Sequence, residues 1–105
     1  MENEKKKIGI TLRPDVATGK YANLAIISHT KNEFVVDFAT MLPGLAGPDV
    51  HSRIVMQPEN CKRLLNALAD NISKYEAVHG TIELAEAEQP RTINLADIPT
   101  SGTKS

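Results

Sequence analysis

The side chains of this chain that could do acid–base or metal chemistry are its three histidines and a few hydroxyl and carboxyl groups. We predict His29 at a strand end, His51 in a loop and His79 at a helix end. No two of them have a metal-ligand spacing such as H-x-x-x-H on one helix face. We therefore predict that the protein holds no metal and no cofactor.

A hydrolytic site could be assembled on paper from Ser28 or Ser52, a histidine and Asp37. A serine nucleophile needs a base within hydrogen-bond reach, and it often lies on a sharp turn with a recognisable sequence. The chain has no G-x-S-x-G turn, and Gly44 and Gly47 precede neither a Lys-Ser/Thr pair nor a helix that would hold phosphate. We therefore predict that the protein is not an enzyme.

Asp37 is the most informative single residue, because it lies among Val35, Val36 and Phe38 in a predicted strand. An unpaired carboxylate is costly to bury in such a place. Arg53, on the following predicted strand, is a candidate partner. We predict a structural ion pair between neighbouring strands, which would also help to set their register. A ligand-binding role for Asp37 is the alternative.

The longest element is a helix predicted over residues 57–80. Pro58 suits the first helical position, Glu59 places negative charge at the positive end of the dipole, and Gly80 suits the position after the last turn. Leu64 widens a stripe whose positions step by four and three residues: Cys61, Leu65, Leu68, Ile72, Tyr75 and His79. This spacing predicts one apolar face, which we expect to pack on a sheet.

Strand-like stretches precede this helix at residues 8–12, 21–29, 33–42 and 52–57. Residues 30–32 predict a hairpin turn, and two Pro and two Gly predict a loop over 43–49. The fold class that follows is α+β: an antiparallel meander of three or four strands, then one long amphipathic helix packed on it. We expect a flexible arm at 1–7, a single domain at 8–84 and a tail over 85–105 that is mostly disordered.

The second predicted strand carries apolar side chains on both faces, so a single helix would leave one face uncovered. Val35, Ala39 and Met41 lie on the face that also carries Asp37. Association with other subunits through that face is the simplest cover. We therefore predict a homodimer or a higher oligomer.

Bulk composition fits one small globular domain of 105 residues with a net charge of −1. This charge balance argues against a broad phosphate-binding surface, so nucleic acid is not an expected partner. Cys61 is the only cysteine, which rules out an internal disulfide, and no long apolar run follows the charged residues at the start. We expect a cytoplasmic protein with neither a secretory signal nor a membrane span.

Several short motifs carry a family resemblance across residues 19–83. They are Tyr21-Ala22-Asn23, Ser28-His29-Thr30, Glu33-Phe34, Asp37-Phe38, Ser52-Arg53-Ile54-Val55-Met56, Pro58, Leu64-Leu65, Leu68, Tyr75-Glu76 and Gly80-Thr81-Ile82. With these motifs the chain resembles a family of short bacterial proteins catalogued as a domain of unknown function, and the resemblance implies no activity and no ligand. The order of strands and a long helix is also loosely similar to the secretion chaperone SecB, as an analogy of topology.

These observations predict a non-enzymatic, oligomeric protein-interaction domain, with chaperone-like binding of client or partner proteins as one form of that role. The alternative is a small nucleic-acid-binding regulator, because the run from Arg53 into Pro58 is similar to the strand-to-helix entry of ribbon-helix-helix proteins. Against that alternative, the basic residues of the helix are sparse.

Overall fold

A computed structural model describes residues 9–44, 46–85 and 92–97 of the chain. Its elements, in order, are α1 (Pro14–Ala17), β1 (Leu24–His29), β2 (Phe34–Thr40), β3 (Asp49–Met56), α2 (Pro58–His79), β4 (Thr92–Asn94) and a 3-10 turn (Leu95–Asp97). The α+β class and the order of strands before a long helix are confirmed.

The four strands form one sheet in the order β3-β2-β1-β4. β1 to β3 make the predicted antiparallel meander, and a register shift between Phe38 and Ala39 marks a bulge between β2 and β3. β4 runs parallel to β1, with Ile93 opposite Ile26, so the sheet is mixed. The described part of the expected tail, residues 92–97, therefore supplies an edge strand, while 86–91 and 98–105 lie outside the described residues.

The start of the chain differs from the prediction of a strand at residues 8–12. Residues 9–13 have no regular structure, Ile10 is 87% exposed, and Ile8 lies outside the described residues. Pro14 instead begins the one-turn helix α1, as its fixed φ favours. The two edge strands of the sheet are β3 and β4. Residues 9–13 pair with neither of them.

The hairpin between β1 and β2 is closed by Thr30. Its backbone N–H donates to the Glu33 carbonyl at 2.9 Å, and its hydroxyl accepts from the N–H groups of Asn32 and Glu33, each at 3.2 Å. A threonine hydroxyl that bonds nearby backbone groups in this way is a common turn device. The predicted turn at 30–32 is confirmed.

Helix α2 begins and ends almost where the sequence predicts, over Pro58–His79. Two surface ion pairs at i,i+4 spacing support it, Glu59 with Arg63 at 2.6 Å and Asp70 with Lys74 at 3.0 Å. Gly80 follows the last turn with a φ of 92° and donates its N–H to the Glu76 carbonyl. A positive φ of this kind favours glycine.

The position of α2 corrects one expectation, because the helix does not pack on the sheet of its own chain. Every residue of α2 is described and none is buried, and no strand makes an extensive contact with it. The reason is the linker: the single extended residue Gln57 joins Met56 of edge strand β3 to Pro58. One residue gives the chain no length in which to turn back across a sheet face.

The interior of the described chain is correspondingly small. Its buried residues are Ala25, Val36, Asp37 and Ala39, all in the two central strands. Three of these are small or medium-sized apolar residues and the fourth is a carboxylate. A single copy of the chain thus leaves most of its large apolar side chains in contact with solvent.

Candidate functional site

Asp37 and Arg53 meet across the β2–β3 ladder as directly opposite residues. The Arg53 Nε donates to Asp37 Oδ1 at 2.6 Å and its Nη2 donates to Oδ2 at 2.9 Å, a bidentate pair. Asp37 is 8% exposed as a residue, whereas most of the Arg53 side chain is in solvent. The structure therefore brings this sequence-derived pair together at the middle of the sheet.

The electrostatics of the pair fit a structural role. The Arg53 hydrogen bonds hold the pKa of Asp37 below its ordinary value, against the opposing effect of burial, and the Arg53 charge adds to that lowering. The same contacts raise the pKa of Arg53. A carboxylate whose two oxygens both accept from one guanidinium is a poor general base, and the pair joins β2 to β3 at directly opposite positions.

His51 lies in β3 and not in a loop as predicted, and among the described residues it forms with Ser52 a contact that resembles a nucleophile and base. Ser52 Oγ lies 2.9 Å from His51 Nδ1, and His51 Nε2 lies 3.0 Å from the carbonyl oxygen of Tyr21. A carbonyl can only accept, so Nε2 carries the proton and, in the neutral ring, Nδ1 accepts from the Ser52 hydroxyl. No carboxylate orients this ring in the described structure, and Asp37 is held by Arg53.

The other two histidines each contact an aromatic neighbour, His29 in a stacked arrangement and His79 in a tilted one. His29 stacks on Phe34 with ring centroids 5.2 Å apart, and His79 lies against Tyr75 with centroids 4.7 Å apart. Within the described ranges, no three His, Cys, Asp or Glu side chains come close enough together to hold a metal ion. The contact of His29 joins the facing ends of β1 and β2, and the contact of His79 lies within the last turns of α2.

Asn23, just before β1, performs a task that sequence analysis missed. Its side-chain amide donates to the Met41 carbonyl at 3.0 Å and accepts from the Met41 N–H at 2.9 Å. The two bonds extend the β1–β2 pairing beyond the last ladder residues. The carbonyl of Tyr21 likewise accepts from Thr40 Oγ1 at 2.8 Å. The Tyr21-Ala22-Asn23 motif is thus an attachment between strand ends.

A row of exposed apolar side chains follows one face of α2. We call it the α2 stripe, and its members are Leu64, Leu65, Leu68, Ile72, Tyr75 and Val78, which are 41–76% exposed. Sequence analysis identified most of these positions as apolar but placed them against the sheet. The overlooked signal was the single-residue linker between β3 and α2.

A shallow groove of about 540 Å³ lies along the C-terminal half of the α2 stripe. Its apolar walls are Ile72, Tyr75, Val78 and Ile82. Ile82 is held beside the helix because its N–H donates to Glu76 Oε2 at 2.8 Å. The groove is therefore an open, mostly apolar surface rather than an enclosed cavity, and the polar residues Asn71, Lys74 and His79 also line it.

The predicted oligomer face on β2 is less open than the α2 stripe. Ala39 is 0% exposed within one chain, and Val35 and Met41 are both half-buried. By contrast, Val50, Ile54 and Val55 of edge strand β3 are exposed. About half of the exposed large apolar side chains among the described residues therefore lie on α2 and β3.

Comparison with known proteins gives a family but no relative of established function. No protein with a curated description and no solved structure matches the chain, so the likeness to SecB stays an analogy of topology. In the described part of the chain, no helix has both the length and the apolarity needed to cross a bilayer. One family model, described as "Protein of unknown function (DUF3467)", matches residues 1–84, a stretch that holds β1 to β3 and α2. The chain therefore belongs to the DUF3467 family of proteins of unknown function.

Proposed function

We propose that the protein is a non-enzymatic, oligomeric protein-interaction domain whose binding surface is the α2 stripe. The observation that carries the proposal is the exposure of six large apolar side chains along one face of a helix with which no described strand makes an extensive contact. Most of the stability of a helix in a protein comes from burying its apolar face. Contiguous exposed apolar surface on this scale is typical of protein-binding sites.

The engagement of the polar residues supports a non-enzymatic role. Asp37 is paired with Arg53, and both ring nitrogens of His51 are used in contacts that attach Ser52 and Tyr21. These side chains already have structural partners. The single cysteine, Cys61, suits a reducing compartment, so the proposal places the protein in the cytoplasm.

Self-association as a dimer or higher oligomer is part of the proposal, and binding of a client or partner protein in a chaperone-like manner is its wider form. The exposed apolar side chains of β3 support the wider form, because they add a second apolar area next to the start of α2. Nucleic-acid binding gains no specific support. Arg63 and Lys74 on α2 are each engaged by an acidic neighbour.

Sedimentation equilibrium of the full chain at micromolar concentrations tests the proposal. We expect the wild type to be larger than the 11.4 kDa chain mass and Leu68→Asp to sediment as a folded monomer with unchanged strand content by circular dichroism. Asn66→Asp is the matched control, because it places the same side chain on the same helix outside the α2 stripe. A monomeric wild type, or Leu68→Asp that associates as well as Asn66→Asp, contradicts the proposal.

A further inference from the structure

The spacing of the α2 stripe identifies the kind of surface that can cover it. Four members of the α2 stripe, Leu65, Leu68, Ile72 and Tyr75, continue to Cys61 at one end and His79 at the other in steps of four, three, four, three and four residues, the seven-residue period of a coiled-coil heptad, within a helix of 22 residues. This period keeps one face of a helix turned toward a second helix in a left-handed pair. The occupant that fits α2 is therefore another helix with the same period.

We propose that the α2 stripe is covered by α2 of a second copy of the chain, antiparallel to the first, about a two-fold axis near residue 70. This inference rests on the proposed function and adds the identity and direction of the partner. In this arrangement the numbers of facing residues add to about 140. Leu68 lies opposite Ile72 of the partner subunit, and Leu65 lies opposite the partner's Tyr75. Each contact occurs twice because the pairing is isologous.

The charges beside the α2 stripe favour the antiparallel direction. Arg63 and Lys74 are already paired along the helix, while Lys62 has no ion-pair partner among the described residues. Glu76 accepts one hydrogen bond from Ile82 through Oε2. In the antiparallel pair Lys62 faces the partner's Glu76, and the reverse contact forms as well. A parallel pair would instead bring Glu76 next to Asn71 and Lys62 next to Gln57, and both ion pairs would be lost.

The residues nearest the axis also suit this direction. On one side of the interface Ala69 would meet Ala69 of the partner subunit, and this small side chain lets the two helices approach closely. On the other side Asn71 would meet Asn71 of the partner subunit. Antiparallel helices also place opposite ends of their dipoles together. The antiparallel pair therefore has a small residue and a hydrogen-bonding residue at its centre and opposite charges at both ends.

The groove on the C-terminal half of α2 supplies the shape argument. Its walls, Ile72, Tyr75, Val78 and Ile82, surround a volume of about 540 Å³. In the antiparallel pair this groove receives the partner's Leu64 and Leu65, two large side chains from the N-terminal half of the helix. The same contact at the other end covers the remaining part of the α2 stripe.

Oxidative cross-linking of the full chain tests the direction of the pair. Cys61 is the only cysteine of the wild type. In an antiparallel pair the two copies of Cys61 are about 27 Å apart, since 18 residues of helix at ~1.5 Å each separate position 61 from position 79. The wild type should therefore remain non-covalent after mild oxidation, whereas His79→Cys should form a covalent dimer through position 61 of one copy and position 79 of the other. Ala77→Cys, near the same end but outside the interface, is the matched control and should not cross-link.

Charge reversal provides a second readout that does not need a disulfide. Lys62→Glu should weaken association by roughly tenfold, since it replaces two attractive contacts with two repulsive ones. Adding Glu76→Lys to that variant should give tighter association than Glu76→Lys alone, since both of these variants lack the Glu76–Ile82 contact and only the double variant keeps opposite charges at the two positions. A wild type that cross-links through Cys61 as readily as His79→Cys, or a double variant no stronger than Glu76→Lys alone, overturns the antiparallel pair. If the wild type still associates, either of these results leaves the proposed function intact. A monomeric wild type refutes both the proposed function and the antiparallel pair.

Discussion

Replacement of Leu68 by alanine gives the most direct measure of what the α2 stripe contributes. Full burial of a leucine side chain stabilises by roughly 1.5–3 kcal/mol relative to full exposure. Leu68 is 53% exposed in one chain, so association can bury about half of that value, roughly 0.8–1.6 kcal/mol per copy. Two copies in a symmetric dimer give about 1.6–3.2 kcal/mol, which is about a 15- to 200-fold increase in the dimer dissociation constant. The helix itself should be unaffected, because alanine is a strong helix former.

Sedimentation equilibrium over a concentration series measures this change, and circular dichroism checks that the helix remains. Leu42→Ala is the matched control: Leu42 is also about half exposed, at 49%, but it lies in the loop after β2. We expect the control to leave the dissociation constant within about twofold of the wild type, well below the change calculated for Leu68→Ala. The reasoning fails if Leu68→Ala associates as tightly as the wild type, or if the two variants weaken association equally.

Three further changes test the parts of the fold that present α2, each followed by denaturant or thermal unfolding at fixed protein concentration. Because the pKa of Asp37 is lowered in the folded chain, its charge stabilises above the unfolded value of about 4. Asp37→Asn should therefore be less stable than the wild type at neutral pH, and the difference should shrink as pH falls through the folded pKa. A constant difference from pH 7 to pH 3 would contradict this. Gly80→Ala should cost on the order of 1–3 kcal/mol, since φ 92° and ψ 167° are available almost only to glycine, whereas Gly47→Ala, where φ is not positive, should change little. Asn23→Ala should cost about 1–3 kcal/mol because it removes two backbone contacts, and an unchanged urea midpoint would show that those bonds contribute nothing.

Local signals explain why the elements themselves could be predicted. Pro58 and Gly80 mark the ends of α2 through backbone geometry that depends only on those residues. Thr30 closes the hairpin through bonds to residues two and three positions away. Such features act within a few residues of chain, so the sequence is sufficient to identify them.

The position of α2 could not be predicted in the same way. Periodicity shows which face of a helix is apolar, but it does not show what covers that face. The decisive feature is the length of the connection, because Gln57 alone separates Met56 from Pro58. The strand predicted at 8–12 failed for a related reason. Its alternation satisfies a strand, but a strand also needs a neighbour to pair with, and both sides of β1 are already paired, with β2 and with β4.

Some of the polar contacts could likewise be predicted from the sequence and others could not. The pairing of Asp37 with Arg53 could be anticipated because a carboxylate in an apolar strand requires a cation and the next strand offers one. The contacts of Asn23 and His51 could not, because they end on the carbonyls of Met41 and Tyr21, which lie at or beyond strand ends. The position of such a carbonyl depends on irregular backbone, which has no sequence period.

The two edges of the sheet indicate why association should use α2 rather than strand pairing. One edge strand, β4, has only three residues, Thr92–Asn94, and comes from residues beyond the 1–84 match to the family model. The opposite edge strand, β3, carries the charged residues Asp49 and Arg53, and it departs from regular pairing at the bulge beside Ala39. Charges and bulges on an edge strand are devices that oppose strand-to-strand pairing. With one edge strand very short and the other charged and bulged, the α2 stripe is the surface on which burial costs least, since its six large side chains carry no charge that association would have to desolvate.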